Sequence, residues 1–333
     1  MTALSKLERV QRTLAGKDVD RPPYSFWTHF PRCDMNPTEI VSVTVELACR
    51  LDLDFVKAMS NGLYALEDWG VRGDFSDVAT GGVARVAASP IQSPQDWRKI
   101  SPRDTTAPAL ARELRHIGGL IDTFNSELPV LATVFSPLTV AHKLAGNALA
   151  HDIALYPDYV LAALEAIALT QSAFARAAIN AGAAGVFFAV QDADPKRFSA
   201  EQYARFGTPF DLAVLAGAEA GWFNTVHMHG DSVMFDVLKA YPVPVLNWHI
   251  GETAPTLAAY RQAGGSKAIL GGLRRAALTH SDAAGVEADI ASAFSTQGAR
   301  GLLFGPGCVI RHPIDRNFLA RVAARIRGES RQV

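Results

Sequence analysis

Eight short apolar runs recur along the chain, and between most of them lie longer stretches with helical spacing, an alternation that few folds accommodate. The runs span 24–29, 54–59, 129–135, 185–190, 223–227, 244–248, 267–270 and 301–304. Apolar residues three and four apart predict helices over 39–51, 157–181, 200–220, 232–240, 254–263, 281–296 and 314–327. Runs apolar on both faces are what parallel strands become when helices cover both sides of a sheet. The pattern therefore predicts an α/β fold, a single (β/α)8 TIM barrel over residues 1–333. An open doubly wound sheet would carry a glycine-rich turn after its first strand, whereas His29-Phe30-Pro31-Arg32 stands there. The segment 61–103 is too long for a plain loop, and Val83-Ala84-Arg85-Val86-Ala87 within it predicts a small hairpin inserted after the second strand. No internal repeat or Pro/Gly linker marks a second domain.

Charge and composition remove several classes of function. With 32 Lys and Arg against 33 Asp and Glu, the chain has no footprint for a nucleic acid. The richest apolar stretch, 159–190, is interrupted by Glu165, Gln171 and Arg176, so no membrane span is expected. The N-terminal MTALSKLERVQRTLAGK reads as an amphipathic helix rather than a secretory signal, which makes a cytoplasmic location the expectation. Three cysteines, Cys33, Cys49 and Cys308, are too few and too scattered for a disulfide framework.

Catalytic side chains in such a barrel sit at the C-terminal strand ends. The fifth run ends in His227-Met228-His229, the sixth in Asn247-Trp248-His249, and the eighth is followed by Gly305-Pro306-Gly307-Cys308. Residues two apart on a strand face the same way, so His227 and His229 can reach one ion, and barrel closure brings Cys308 to the same mouth. Two imidazoles and a thiolate suit zinc and leave its fourth position open to a substrate. The competing reading makes His227 a core histidine, His229 a loop residue and Cys308 a small buried hydrophobe. Asp192 and Asp194 are candidates for acid–base work, with capping of the next helix as the alternative role. His249, beside Glu252, is a proton-transfer candidate or a fourth ligand. His29, Asn61, Gln191, Asn247 and Gly272, at other strand ends, are candidates for substrate binding.

Arg21-Pro22-Pro23 before the first run, the strand AAGVFFAV followed by Gln191-Asp192, and the HMHGD, NWH and GPGC segments together resemble the uroporphyrinogen decarboxylase superfamily over 7–326. The resemblance implies a (β/α)8 barrel. True uroporphyrinogen decarboxylases carry an R-Q-A-G-R-Y segment after the first strand and an Asp in an F-S-D-I-L-like segment after the second. Here Thr28-His29-Phe30-Pro31-Arg32 and Met59-Ser60-Asn61-Gly62 stand in those places, which disfavours porphyrin decarboxylation. The other branch comprises zinc-dependent methyltransferases that pass methyl groups between corrinoid proteins and thiols such as coenzyme M, with a motif of the form His-x-Cys…Cys. By position His227 matches the first ligand and Cys308 the last, while His229 replaces the middle cysteine. An imidazole in place of a thiolate raises the charge of the site by one, making a bound thiol less nucleophilic and a bound water more acidic.

The expected function is thus that of a zinc-dependent, methyltransferase-like enzyme acting on a small thiol- or oxygen-bearing substrate. Its alternative is decarboxylation or another C–C cleavage of a small carboxylic acid. A metal-dependent hydrolase stands third, since the His-x-His of amidohydrolases follows the first strand rather than the fifth. No D-x-H-x-x-G corrinoid motif occurs, so a corrinoid would arrive on a separate partner protein. A homodimer is left open.

Overall fold

The computed structural model describes residues 3–330 and 332–333. Seven parallel strands form one curled sheet: β1 (Val56–Ala58), β4 (Val130–Phe135), β5 (Gly185–Val190), β6 (Thr225–Met228), β7 (Val245–Trp248), β8 (Ala268–Leu273) and β9 (Leu302–Pro306), hydrogen-bonded in that order. β2 (Arg72–Asp74) and β3 (Arg85–Ala88) pair antiparallel as a separate ribbon between β1 and β4. Every residue of β1 and of β4 to β9 is buried, as parallel strands covered by helices must be.

The stretch 24–29 departs from the strand predicted there. It is extended but joins the sheet only through isolated parallel bridges, Tyr24 to Phe304 and Thr28 to Ile310. Pro22 and Pro23 have no N–H to offer a ladder, and the Tyr24 N–H is taken by the Asp54 carboxylate at 3.0 Å. That carboxylate, fully buried, also accepts from Arg9 at 2.6 Å and Arg21 at 2.5 Å. The segment still links the two edges of the sheet: Ser25 N–H donates to Phe304 O at 3.0 Å, and Asp54 N–H donates to Tyr24 O at 3.0 Å. Inside the curl, Trp27, Phe55, Leu131, Phe187, Phe223, Leu270 and Leu303 pack as one apolar cluster with Val10 of the helix Lys6–Leu14. The inside of the sheet is therefore a packed core, open to solvent where the strands end.

Helices follow most strands. The helix predicted over 200–220 is two, Ala200–Phe206 and Thr208–Gly217. Pro209 cannot donate to the preceding turn, and a Cβ on Gly207 would lie 2.6 Å from the Tyr203 ring, so only glycine fits the break. Helices Pro108–Phe124, Pro137–Ala145 and Ala148–Leu155 were not expected from the pattern. Pro157–Asn180 has the length and hydropathy of a membrane span, but Val160, Leu164, Ile167, Phe174 and Ala178 are buried in the protein core. β8 continues through Gly271 and Gly272, and β9 through Gly305 and Pro306, past the ends of the predicted runs 267–270 and 301–304.

Candidate metal centre and its cavity

Neighbouring strands bring the histidines together. β6 and β7 pair in register His227 to Asn247, so these two side chains stand beside one another. His227 Nδ1 lies 2.5 Å from Asn247 Oδ1. Asn247 Nδ2 donates to Leu270 O at 2.6 Å and, more weakly, to Pro306 O at 3.3 Å. Since the amide nitrogen is committed to carbonyls, Oδ1 is the acceptor and the His227 proton sits on Nδ1. Nε2 of His227 is left with its lone pair.

His229 and His249 lie just beyond β6 and β7, with ring centroids 5.1 Å apart, and Cys308 lies just beyond β9 with Sγ 3.5 Å from His229 Nδ1. One donor atom from each of His227, His229, His249 and Cys308 falls within 4.8 Å of all the others. His249 Nε2 is buried without a partner, while its Nδ1 faces Glu252 Oε2 at 3.8 Å. Burial holds the imidazolium forms down: His229 is lowered to about 3, with His249 and Arg275 adding to the effect, His249 to about 4, and His227 well below its ordinary value. Burial also pushes the Cys308 thiol up. Three neutral imidazoles and a thiol converging on one point, one of them with an orphaned buried nitrogen, are a donor set that fits zinc.

The cluster borders a cavity of about 280 Å3 that is lined by His227, His229 and Cys308. His29, Asn61 and Gln191 also line it, whereas Asp192, Asp194, Asn247, His249 and Gly272 do not. His29 Nδ1 is buried without a hydrogen bond, 3.8 Å from Asp34 Oδ2. Asn61 is committed internally, accepting from Leu63 N–H at 2.8 Å and donating to Glu67 Oε1 at 2.5 Å. The buried Asp192 carboxylate is held by His142 and Arg197, each at 2.7 Å. Asp194 accepts from Lys196 N–H at 2.8 Å in a turn, and the helix that follows is capped by Ser199 instead. Gly272 sits inside β8 with φ +86°, where a Cβ would meet the Phe304 ring at 3.4 Å.

Four charged residues of the cavity were not expected from the sequence: Lys57, Lys143, Arg275 and Arg311. Lys57 is in β1, and its Nζ lies 2.9 Å from Met59 Sδ and 4.8 Å from the centre of the Phe187 ring. Lys143, on the helix Pro137–Ala145, donates to Gly62 O at 2.9 Å and lies 4.1 Å from the Phe135 ring centre. Burial lowers Lys57 to about 7 and Lys143 to about 8.

The uroporphyrinogen decarboxylase (URO-D) family profile matches residues 5–317. Among solved structures, the chain resembles a methyltransferase from Methanosarcina mazei at TM-score 0.80 and 16% identity, covering 98% of this chain and 99% of that one. A B12-independent methionine synthase from Shewanella sp. W3-18-1, solved in complex with selenomethionine, is similar at TM-score 0.58 and 12% identity, over 93% of this chain and 94% of that one. A putative vitamin-B12 independent methionine synthase from Listeria monocytogenes aligns at TM-score 0.55 and 14% identity, over 88% and 86% of the two chains. At such identities the likeness is one of fold. No curated protein matches the sequence.

Proposed function

Because the chain belongs to the uroporphyrinogen decarboxylase family, we propose that it is a single-domain, zinc-dependent enzyme of methyltransferase type that acts on a small thiol- or oxygen-bearing substrate. The observation that carries this reading is the convergence of His227, His229, His249 and Cys308 donor atoms within 4.8 Å. His227, His229 and Cys308 hold the metal, with Asn247 fixing the His227 tautomer from behind as outer partners of metal ligands do. Zinc held there supplies Lewis acidity that favours the deprotonated form of a thiol or hydroxyl. His249 Nε2, neutral at pH 7, accepts the released proton, and Glu252, 3.8 Å from Nδ1, steadies the cation that results. Gln191 and His29 contact the substrate from the cavity wall. At about 280 Å3 the cavity is near the lower end of the ~300–1,000 Å3 typical of small-molecule sites, so it suits a small substrate rather than a tetrapyrrole. Any methyl-carrying corrinoid is then supplied by a separate protein in the cytoplasm. The second reading, cleavage of a C–C bond in a small acid, draws support from the cationic cavity lining.

Metal analysis of the purified protein tests the proposal. Stoichiometric zinc is expected in the wild type. Cys308→Ser should lose metal and activity together while keeping its fold, since a hydroxyl is a far poorer anionic ligand than a thiolate and this core does not depend on an ion. Wild-type protein that neither contains zinc nor takes it up would defeat the reading.

A further inference from the structure

We propose that Lys57 is a nucleophile whose amine condenses with the carbonyl group of a small aldehyde or ketone in the cavity to form an imine. Lys57 stands on β1, is only 6% exposed, and still lines the cavity. Its side-chain hydrogen bond, at 2.9 Å, goes to the thioether sulfur of Met59, a weak acceptor, and the centre of the Phe187 ring lies 4.8 Å from Nζ. Other lysines that leave the surface find oxygen: Lys143 donates to Gly62 O at 2.9 Å and Lys267 donates to Tyr241 O. Lys6, Lys99, Lys196 and Lys239 are each paired with a carboxylate. Lys57 has no such partner among the described residues, and no Asp or Glu lines its cavity.

An ammonium has three donors and a charge to satisfy, and one deprived of water and of oxygen acceptors gives up its proton. The attraction of an aromatic face for a cation is small beside that loss. Burial accordingly lowers Lys57 to about 7, with Cys308 acting against it. Zinc on Cys308 would turn that opposing effect round, since the charge of the ion outweighs that of one thiolate. A neutral lysine amine in an apolar setting is the form that attacks a carbonyl carbon. The nitrogen bonds to that carbon, both amine hydrogens end on the carbonyl oxygen, and the oxygen leaves as water, so the step needs no other reactant. His29, a neutral imidazole on the same cavity wall, carries protons to the departing oxygen. Once protonated, the imine accepts the electron pair of a C–C bond made by the adjacent carbon. The second reading of the site, C–C cleavage, thereby gains a specific route for a substrate that carries an oxo group.

This inference rests on the reading of the cavity as a substrate site but not on the metal, and its test separates the two. Propanal is incubated at about pH 7.5 with zinc-loaded and with chelator-stripped wild type, borohydride is added, and the propylated lysines are located by peptide mass spectrometry. Lys57 should be propylated at least about tenfold faster than the exposed Lys17 and Lys196, because at this pH only roughly one in a thousand ordinary lysine amines is unprotonated. Lys57→Met should keep its fold, as read by its melting temperature, and should lose the fast label while Lys17 and Lys196 react as before. Propylation of Lys57 no faster than that of Lys17 and Lys196, or a fast label that falls on Lys143 instead, overturns the proposal. Trapping at Lys57 in a protein that takes up no zinc defeats the metal reading and leaves the nucleophile standing, and zinc uptake without trapping does the reverse.

Discussion

Replacing Asn247 with Leu should weaken both the fold and the metal centre, by amounts that can be measured apart. Asn247 is fully buried and makes two short hydrogen bonds, to His227 Nδ1 at 2.5 Å and to Leu270 O at 2.6 Å, with a long contact of 3.3 Å to Pro306 O. Leucine keeps the volume and leaves the His227 N–H and the Leu270 carbonyl without partners in a dry site. Each unsatisfied group costs about 1 to 3 kcal/mol, so the substitution should destabilise by roughly 2 to 6 kcal/mol, the Pro306 contact adding little. The same change frees the His227 ring to rotate or shift its proton, and loss of such an outer partner typically weakens metal binding by about 10- to 100-fold. Urea unfolding of chelator-stripped protein reads the first effect. Competition for zinc with a chromophoric chelator, well below the unfolding transition, reads the second. Asn247→Asp divides them further: it keeps an acceptor for His227 and makes the imidazole more basic, yet loses the donor to Leu270. It should therefore be less stable than the wild type while binding zinc at least as tightly. Wild-type zinc affinity in Asn247→Leu would show that Asn247 does not orient His227.

Three further outcomes are expected. His249→Gln should keep its zinc and lose most turnover, as read by metal analysis alongside an activity assay; loss of the metal would make His249 a ligand instead. In stripped protein, His249 is lowered to about 4 against an unfolded value near 6.5, so the folded state binds fewer protons in that window and the contribution of His249 is present above pH 6.5 and lost as pH falls toward 4. Asp34, raised to about 7 by burial, acts in the opposite sense over the same range, so the readout is the difference in urea midpoint between wild type and His249→Gln at pH 5 and pH 7, and a constant difference would contradict the shift. Uroporphyrinogen should not be turned over, and product formation at ordinary enzymatic rates would overturn the inference drawn from Thr28 to Arg32 and Asn61.

What could be read from the chain follows from where each residue's partners lie. Runs that became β4 to β7 stood out because each is mostly apolar and gives way to polar residues at its end, a local signal. The stretch 24–29 has the same composition, but its backbone is decided by Pro22, Pro23 and Asp54, the last of which is distant in sequence. The helix Pro108–Phe124 was hidden by Gly118-Gly119 in its middle, where Gly119 makes room for Val41 of a neighbouring helix. His227, His229 and Cys308 were legible since two-residue spacing and strand-end position are properties of the chain itself. Asn247 was visible as a polar strand residue, yet its work behind His227 depends on the register of β6 against β7, which no spacing reveals.

The cations mark the other limit, and Lys57 shows that it was not absolute. A lysine within the apolar run 54–59 contradicts the burial of its neighbours, and a buried ammonium is tolerated only with a partner or a task. That contradiction was a sharper pointer to the cavity than Gly271-Gly272, where Gly271 makes room for Ile250 and Gly272 takes a positive φ within β8. Lys143, Arg275 and Arg311 gave no such signal, because charged residues at helix ends and in loops are ordinary until the fold turns them toward one space. Strand-end histidines are therefore readable by spacing, while a cavity cation is readable only where it breaks the pattern of a strand.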